Sequence, residues 1–369
     1  MKRPSHWNGC RRKCVHRREN GSPVLWGQGA AMKEYEAEVL EQYDMEVRGT
    51  RKMRGAFFCD TDEGAMLLKE TKISERRASL VYIVLSRLEL EGKMRVDTPV
   101  FAKDGRLLVT SRDGTRYMLK RWFTGRECDM KREAEIVSAA GNLALLHERM
   151  QWDPAWGQSG GILVSPPAGR DPLEEMERHN REMRKVRSFI RSRVSKNEFE
   201  YLYLEHYDRM YRLAESVVRR LRESDVMELY RRSIAEGRMV HGDYNYHNVL
   251  NTTEGTAVTN FEHARIDIQM RDLYYFMRKA MEKYRWKQKL GSRILEAYEE
   301  ERRIEPMERT FLGLCLAYPE KFWKTASSYA RSNKAWLPEK SVEKLRTAVR
   351  QTEEKSAFLE NLFSLDLQG

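Results

Sequence analysis

The order of strand-like and helix-like segments limits what this chain can fold into more than any other feature of it. Runs that alternate apolar with polar residues at 45–51, 56–61 and 65–69 predict three antiparallel strands, with Asp62-Glu63-Gly64 turning between the second and third. Ser74 followed by Glu75, with apolar residues at Leu80, Ile83, Val84 and Leu88, predicts an N-capped helix over 74–91 that stops at Gly92. Runs at 98–102, 106–111 and 115–122, separated by Asp104-Gly105 and Asp113-Gly114, predict two further hairpins. Beyond residue 128 the apolar period becomes helical, over about 129–150, 173–195, 197–237, 269–302, 306–331 and 338–364, with 156–172 as a Gly- and Pro-containing loop. The fold class this order predicts is α+β: a small five-stranded sheet carrying one helix, joined to a larger helical body, in two lobes with a cleft between them.

Composition narrows the function classes. A chain of 369 residues that is 41% hydrophobic and 10% aromatic can bury a sizeable core. Nowhere does it approach the run of about 18 apolar residues that crosses a bilayer. The formal net charge of +11 is unevenly placed. Residues 1–31 carry Lys2, Arg3, Arg11, Arg12, Lys13, Arg17 and Arg18 against Glu19 alone, lack apolar periodicity and read as a disordered basic tail. No apolar segment follows its first positive residues, so a secretory signal is not expected and the protein is expected in the cytoplasm when made. Cys10, Cys14, Cys59, Cys128 and Cys315 form no disulfide framework. His6, Cys10, Cys14 and His16 are too loosely spaced, with no second half-site, to read as a zinc site.

One segment departs from the helical pattern. Met239-Val240 leads into His241-Gly242-Asp243-Tyr244-Asn245-Tyr246-His247-Asn248, and Val249-Leu250 follows. The spacing Asp-x-x-x-x-Asn between two short apolar runs is that of a phosphotransferase catalytic loop, in which the Asp accepts the proton of the attacking hydroxyl and the Asn holds a metal on the nucleotide phosphates. The plain alternative is a β-hairpin turn, since Asp and Asn favour turns. Against it stands a further strand-like run at 256–259 that ends in Asn260-Phe261-Glu262, where a kinase places its second metal ligand in an Asp-Phe-Gly triplet. Lys69 closes the third predicted strand immediately before the helix at 74–91, where such a fold carries its phosphate-contacting lysine. Its partner acid is open: Glu75 lies close after it in sequence, Glu89 far.

The His241–Asn248 segment, the stretch Asn260-Phe261-Glu262-His263-Ala264-Arg265-Ile266-Asp267 with Arg271-Asp272-Leu273-Tyr274-Tyr275-Phe276, and the C-terminal stretch from Tyr318-Pro319 through Trp336 to Lys340 together resemble the CotS-type spore coat proteins. These are a branch of the aminoglycoside/choline phosphotransferase, protein-kinase-like superfamily. The resemblance covers about 32–365. It implies an N-lobe at 32–119, a hinge at 120–125 and a helical C-lobe at 126–369 with the catalytic loop at 239–262. It further implies ATP and Mg²⁺ as cofactors, Asp243 as base, Lys69 on the phosphates, Asn248 as a metal ligand, Asp272 as an acid bracing the loop, and residence in the spore coat. Asn260 departs from the pattern, because the superfamily has Asp there and an amide offers Mg²⁺ a dipole in place of a charge. Glu262 would share a face with Asn260 in an extended strand and would be the compensating ligand. Two readings follow: an ATP-dependent phosphotransferase acting on a hydroxyl, or a catalytically impaired pseudokinase that works in coat assembly by binding.

Other groupings carry less. His241, His247 and His263 match no zinc spacing and read as hydrogen-bonded loop histidines. From 178 to 196, Arg178, Arg181, Arg184, Lys185, Arg187, Arg191, Arg193 and Lys196 face Glu182 alone, and four of them recur at three- and four-residue steps. This stripe reads either as a solvated face balanced by Asp171, Glu174, Glu175 and Glu177 or as a docking surface for an anionic partner. Without an accompanying nucleic-acid motif it does not point to DNA or RNA. The clusters Tyr201-Tyr203-Tyr207-Tyr211 and Phe322-Trp323-Tyr329-Trp336 read as packing.

Overall fold

The computed structural model describes residues 34–53, 55–161, 164–331 and 339–366. The basic tail, the Cys/His group within it and Trp336 lie outside these residues. After α1 (Glu34–Leu40), the strands β1 (Val47–Met53), β2 (Ala56–Thr61) and β3 (Gly64–Glu70) pair antiparallel, and α2 (Glu75–Leu90) begins with the Ser74 hydroxyl accepting from Arg77 N–H. Next come β4 (Arg95–Val96), β5 (Val109–Thr110) and β6 (Arg116–Arg121). The first sheet has the order β1-β2-β3-β6-β5, the expected five strands. The run at 98–102 is not one of them. Pro99 has no N–H to give to a ladder, and the segment touches β6 through a single bridge, Pro99 to Lys120, with Val100 N–H on Leu119 O.

Each sheet face has its own core. Met66 and Leu68 of β3 and Tyr117 and Leu119 of β6 pack with Val39 and Leu40 of α1. Met118 packs with Ala78 of α2 on the other face. Alternation along a strand then puts Lys69 and Lys120 on the α2 face with Met118. The register sets them diagonally adjacent, Lys69 opposite Met118 and Lys120 opposite Leu67.

A second sheet joins this region to the helices. It has the order β4-β10-β9-β7, with β7 (Gly125–Glu127), β9 (Val249–Thr252) and β10 (Gly255–Val258), and β4 runs parallel to β10. The remainder is α3 (Glu133–Arg149), a 3₁₀ turn (Pro154–Gly161) that begins before the expected loop and runs into it, α4 (Pro172–Ser192), α5 (Glu198–Glu223), α6 (Val226–Ala235), β8 (Met239–Val240), β11 (Arg265–Ile266), α7 (Met270–Lys283), α8 (Gln288–Glu301), α9 (Pro306–Ala317), α10 (Glu320–Arg331) and α11 (Glu339–Phe363). β8 and β11 pair antiparallel.

Three expected helices are broken in two. The 197–237 helix stops at Ser224, which is extended (φ −96°, ψ 164°), and 306–331 breaks before Pro319. The 269–302 helix breaks where Arg285 and Trp286 take positive φ. Apolar period alone runs through such breaks, because the flanking helices keep burying the same kind of side chain. No helix among the described residues is long and apolar enough to cross a membrane.

Candidate functional site

The loop between β8 and β9 carries Asp243, and backbone chemistry fixes its shape. Gly242 sits at φ +80°, and a Cβ there would lie 2.3 Å from His263 O, so no larger residue fits. Asp272, at the start of α7, accepts from the N–H groups of His241 (2.6 Å) and Gly242 (3.0 Å) and faces His147 Nε2 at 3.4 Å. Burial opposes its charge, but His147, His241 and these N–H groups outweigh burial and hold its carboxyl below the usual range. His241 is fully buried. Its Nδ1 accepts from Asp243 N–H (3.1 Å) and its Nε2 donates to Thr259 O (2.9 Å), and burial pushes its pKa down, which leaves the ring neutral. His247 faces Glu127, so the histidines do not converge. Among the described residues no group of three or more His, Cys, Asp and Glu could hold a metal.

A chain of amides links Asp243 to the first sheet. Asn245 Nδ2 and Asn248 Nδ2 donate to the two Asp243 carboxylate oxygens (2.9 and 3.1 Å), and Asn260 Nδ2 donates to Asn248 Oδ1 (2.7 Å). Lys69 Nζ reaches Asn260 Oδ1 at 2.9 Å and Glu262 Oε1 at 3.1 Å. The structure therefore brings Lys69, Asp243, Asn248, Asn260 and Glu262 into one network. Asn260 and Glu262 do not converge by strand alternation. Asn260 is left-handed (φ 68°, ψ 51°), a conformation Asn tolerates, and Phe261–His263 is a 3₁₀ turn that swings Glu262 back toward Lys69.

Sequence reasoning missed Lys120, Asp97 and Arg77. Lys120 Nζ is fully buried and lies 3.2 Å from Asp97 Oδ2 and 3.3 Å from Glu262 Oε1. Burial alone would lower its pKa, but the two carboxylates raise it, so it stays charged. Glu262, which burial pushes up, is held down by Lys120 and Lys69. Asp97 also accepts from Asn260 N–H (2.9 Å), while its Oδ1 has no partner. Arg77 donates from Nε to Glu262 O (2.9 Å) and from Nη2 to Ala264 O (2.5 Å), tying α2 to the turn. A signal for Lys120 was present in the sequence: it is a cation directly after the apolar run 117–119, in phase with Met118. Neither Glu75 nor Glu89 meets Lys69. Glu89 binds Arg121 (2.7 Å) and Thr98 (2.9 Å), and Lys69 takes its acid from the turn after β10.

A family model described as "Spore coat putative kinase YutH" matches residues 36–362. The chain belongs to that family. As a member of the YutH family it also shares its fold with solved phosphotransferases. An aminoglycoside phosphotransferase from Alicyclobacillus acidocaldarius is 19% identical, with a TM-score of 0.77 over 91% of this chain and 96% of that one. Spectinomycin phosphotransferase APH(9)-Ia, solved with ADP and spectinomycin, is 12% identical (TM-score 0.58, 86% and 97% covered). Amicoumacin kinase hAmiN, solved with AMP-PNP, Ca²⁺ and Ami, is 11% identical (TM-score 0.56, 86% and 92% covered). At these identities the likeness is one of fold: the protein-kinase-like two-lobed fold, with a small antiparallel sheet and a large helical part. No curated protein sequence matches the chain significantly.

The donor chemistry can be tested against a divalent cation. Of Asn248, Asn260 and Glu262, only Glu262 is charged, and two ammonium groups already neutralise it. The two amides hydrogen-bond each other. Hard divalent ions favour charged oxygen donors, so this set does not fit Mg²⁺ well. The Lys69 ammonium, part-exposed at the network's edge, does fit a nucleotide phosphate.

Proposed function

We propose that this YutH-family chain is a nucleotide-binding, kinase-like component of the spore coat that contributes by binding, with phosphoryl transfer crippled at the metal site. The observation that carries this reading is the closed cluster of Lys69, Lys120, Asn260 and Glu262, in which ammonium groups sit against the donors a metal would need. The nucleotides bound in the spectinomycin phosphotransferase and amicoumacin kinase structures support a nucleotide at Lys69. In this reading 120–125 is the hinge between an N-lobe at 32–119 and a C-lobe at 126–369. Asp272 braces the loop, and coat proteins are the partners. The test is the purified full chain in a thermal melt with ADP, with and without Mg²⁺, alongside release of the γ-phosphate of ATP. Stabilisation by ADP that Mg²⁺ does not enlarge, with release at the level of the Asp243→Ala variant, supports the proposal.

A second reading has its own observation. Asp243 is held by Asn245 and Asn248 on a loop braced by Asp272, the order that a base for a hydroxyl acceptor requires. Mg²⁺-supported turnover that Asp243→Ala abolishes would establish that reading and sink the first.

A further inference from the structure

Part of the basic stripe seen in the sequence forms one wall of a groove whose lining shares no residue with the cleft network. Arg184, Arg187, Ser188 and Arg191 of α4 face Tyr207, Asp208 and Tyr211 of α5 across a cavity of about 520 Å³. Arg187 is spent within it: its guanidinium bonds Asp208 (3.0 Å) and lies 4.5 Å over the Tyr207 ring. Asp208 is the only acid in the lining. Among the described residues Arg184 and Arg191, both exposed, have no acidic partner.

Among the described residues the acids near the stripe pair with its other arginines and with arginines outside it. Asp171 caps α4 by accepting from Leu173 and Glu174 N–H, Glu175 binds Arg271 (2.7 Å) and faces Arg178 (3.9 Å), Glu177 binds Arg222 (2.6 Å) and faces Arg181 (3.7 Å), and Glu182 binds Arg178 (3.1 Å). Exposed apolar side chains occur at and near the α4–α5 connection, with Phe189 on a different face of α4 from Arg184 and Arg191. Phe189 is 50% exposed, Val194 fully so and Tyr201 63%, which sets them apart from the mostly buried large apolar side chains.

We propose that the α4–α5 groove binds an extended acidic segment of a protein partner. Arg184 and Arg191 are seven residues apart on one helix face, which separates them by about 10 Å. A peptide in the extended polyproline-II form has three residues per turn and rises about 3.1 Å per residue, so acids three residues apart share a face and meet both cations. A concave groove with one neutralised and two free guanidinium groups suits a narrow chain better than a flat lipid surface.

The test is fluorescence polarisation of the full-length protein with a fluorescein-labelled aspartate-rich peptide containing two leucines. The variants are Arg184→Glu with Arg191→Glu, and Phe189→Ser. Lys289→Glu with Lys344→Glu, at exposed sites elsewhere, makes the same change in net charge. All these positions are exposed, and an unchanged melting temperature without ligand verifies the fold. The groove reversal is expected to weaken the peptide by about tenfold or more, with salt dependence, and both the control pair and Phe189→Ser, on another face of α4, by less than about twofold. Equal losses for the groove and control pairs overturn the proposal, as does failure of the unmodified protein to bind the peptide saturably. Tighter groove-dependent binding of phosphatidylserine vesicles or of an oligothymidylate than of the peptide would overturn it in favour of a membrane or a nucleic acid.

Discussion

Replacing Asn260 with Asp changes one amide to a carboxylate in a backbone conformation that Asp also tolerates, so the effect is electrostatic. Without a cation the substitution is close to neutral. The new carboxylate gains the Lys69 ammonium at the 2.9 Å contact, but it loses the bond to Asn248 and sets two oxygens at the 2.7 Å separation, for a net cost of about 1 kcal/mol or less. With a divalent cation the balance reverses. Two unit charges about 4 Å apart are worth roughly 4 kcal/mol at an effective dielectric of 20, and a double charge about twice that. Solvent at this partly exposed site and repulsion from Lys69 and Lys120 remove more than half, leaving about 2–4 kcal/mol. Mg²⁺ affinity in the presence of ADP should therefore rise by about 30-fold to 1,000-fold. Calorimetric titration of Mg²⁺ into the ADP complexes of both proteins measures this directly, and the Mg²⁺-dependent thermal shift should appear in the variant and be small in the natural chain. If the natural protein binds Mg²⁺ as tightly as Asn260→Asp, the cluster of lysines does not do what is argued here.

Lys120→Met should cost about 3–5 kcal/mol in a denaturant titration, because it strands Asp97, already short of one partner, and half of the Glu262 pairing in a buried site. Lys69→Met, whose side chain is 30% exposed, should cost about 1 kcal/mol or less, and equal losses would contradict the burial argument. Gly242→Ala should destabilise by more than about 2 kcal/mol, since it adds left-handed strain to a collision with His263 O, and a melting temperature within a degree of the parent would refute this. Stability should fall as pH drops from 7 to 5. Burial holds His147 and His241 below their unfolded value and His179 down to about 4, so the unfolded chain takes up protons first, below about pH 6.5. Each histidine contributes up to about 1.4 kcal/mol per pH unit in that window, and His179→Gln should flatten the profile by one such share. The depressed Glu262 and Asp272 add a loss only below about pH 4.3, as pH falls through their folded values.

Local chemistry made much of this protein legible in one dimension. Alternating runs and Asp-Gly turns set most of the five strands, Ser74 set the start of α2, and the spacing from His241 through Asn248 to Asn260 marked the loop, because these features depend on neighbours in sequence. The breaks at 284–287 and 318–319 were harder to read, since a change of helix direction leaves the apolar period intact. What tertiary structure alone decided is which charges meet. Whether Lys69 pairs with Glu75, Glu89 or Glu262 depends on a 3₁₀ turn almost two hundred residues away in sequence. Lys120 joins it only because β6 pairs with β3 in a register that makes the two lysines diagonal neighbours on one face. The same holds for the basic stripe, whose sequence neighbours Glu175 and Glu177 face Arg178 and Arg181 within it and are shared by folding with Arg271 and Arg222, farther along the chain. Coulombic pairing acts through space over a few ångströms, and sequence distance says little about it.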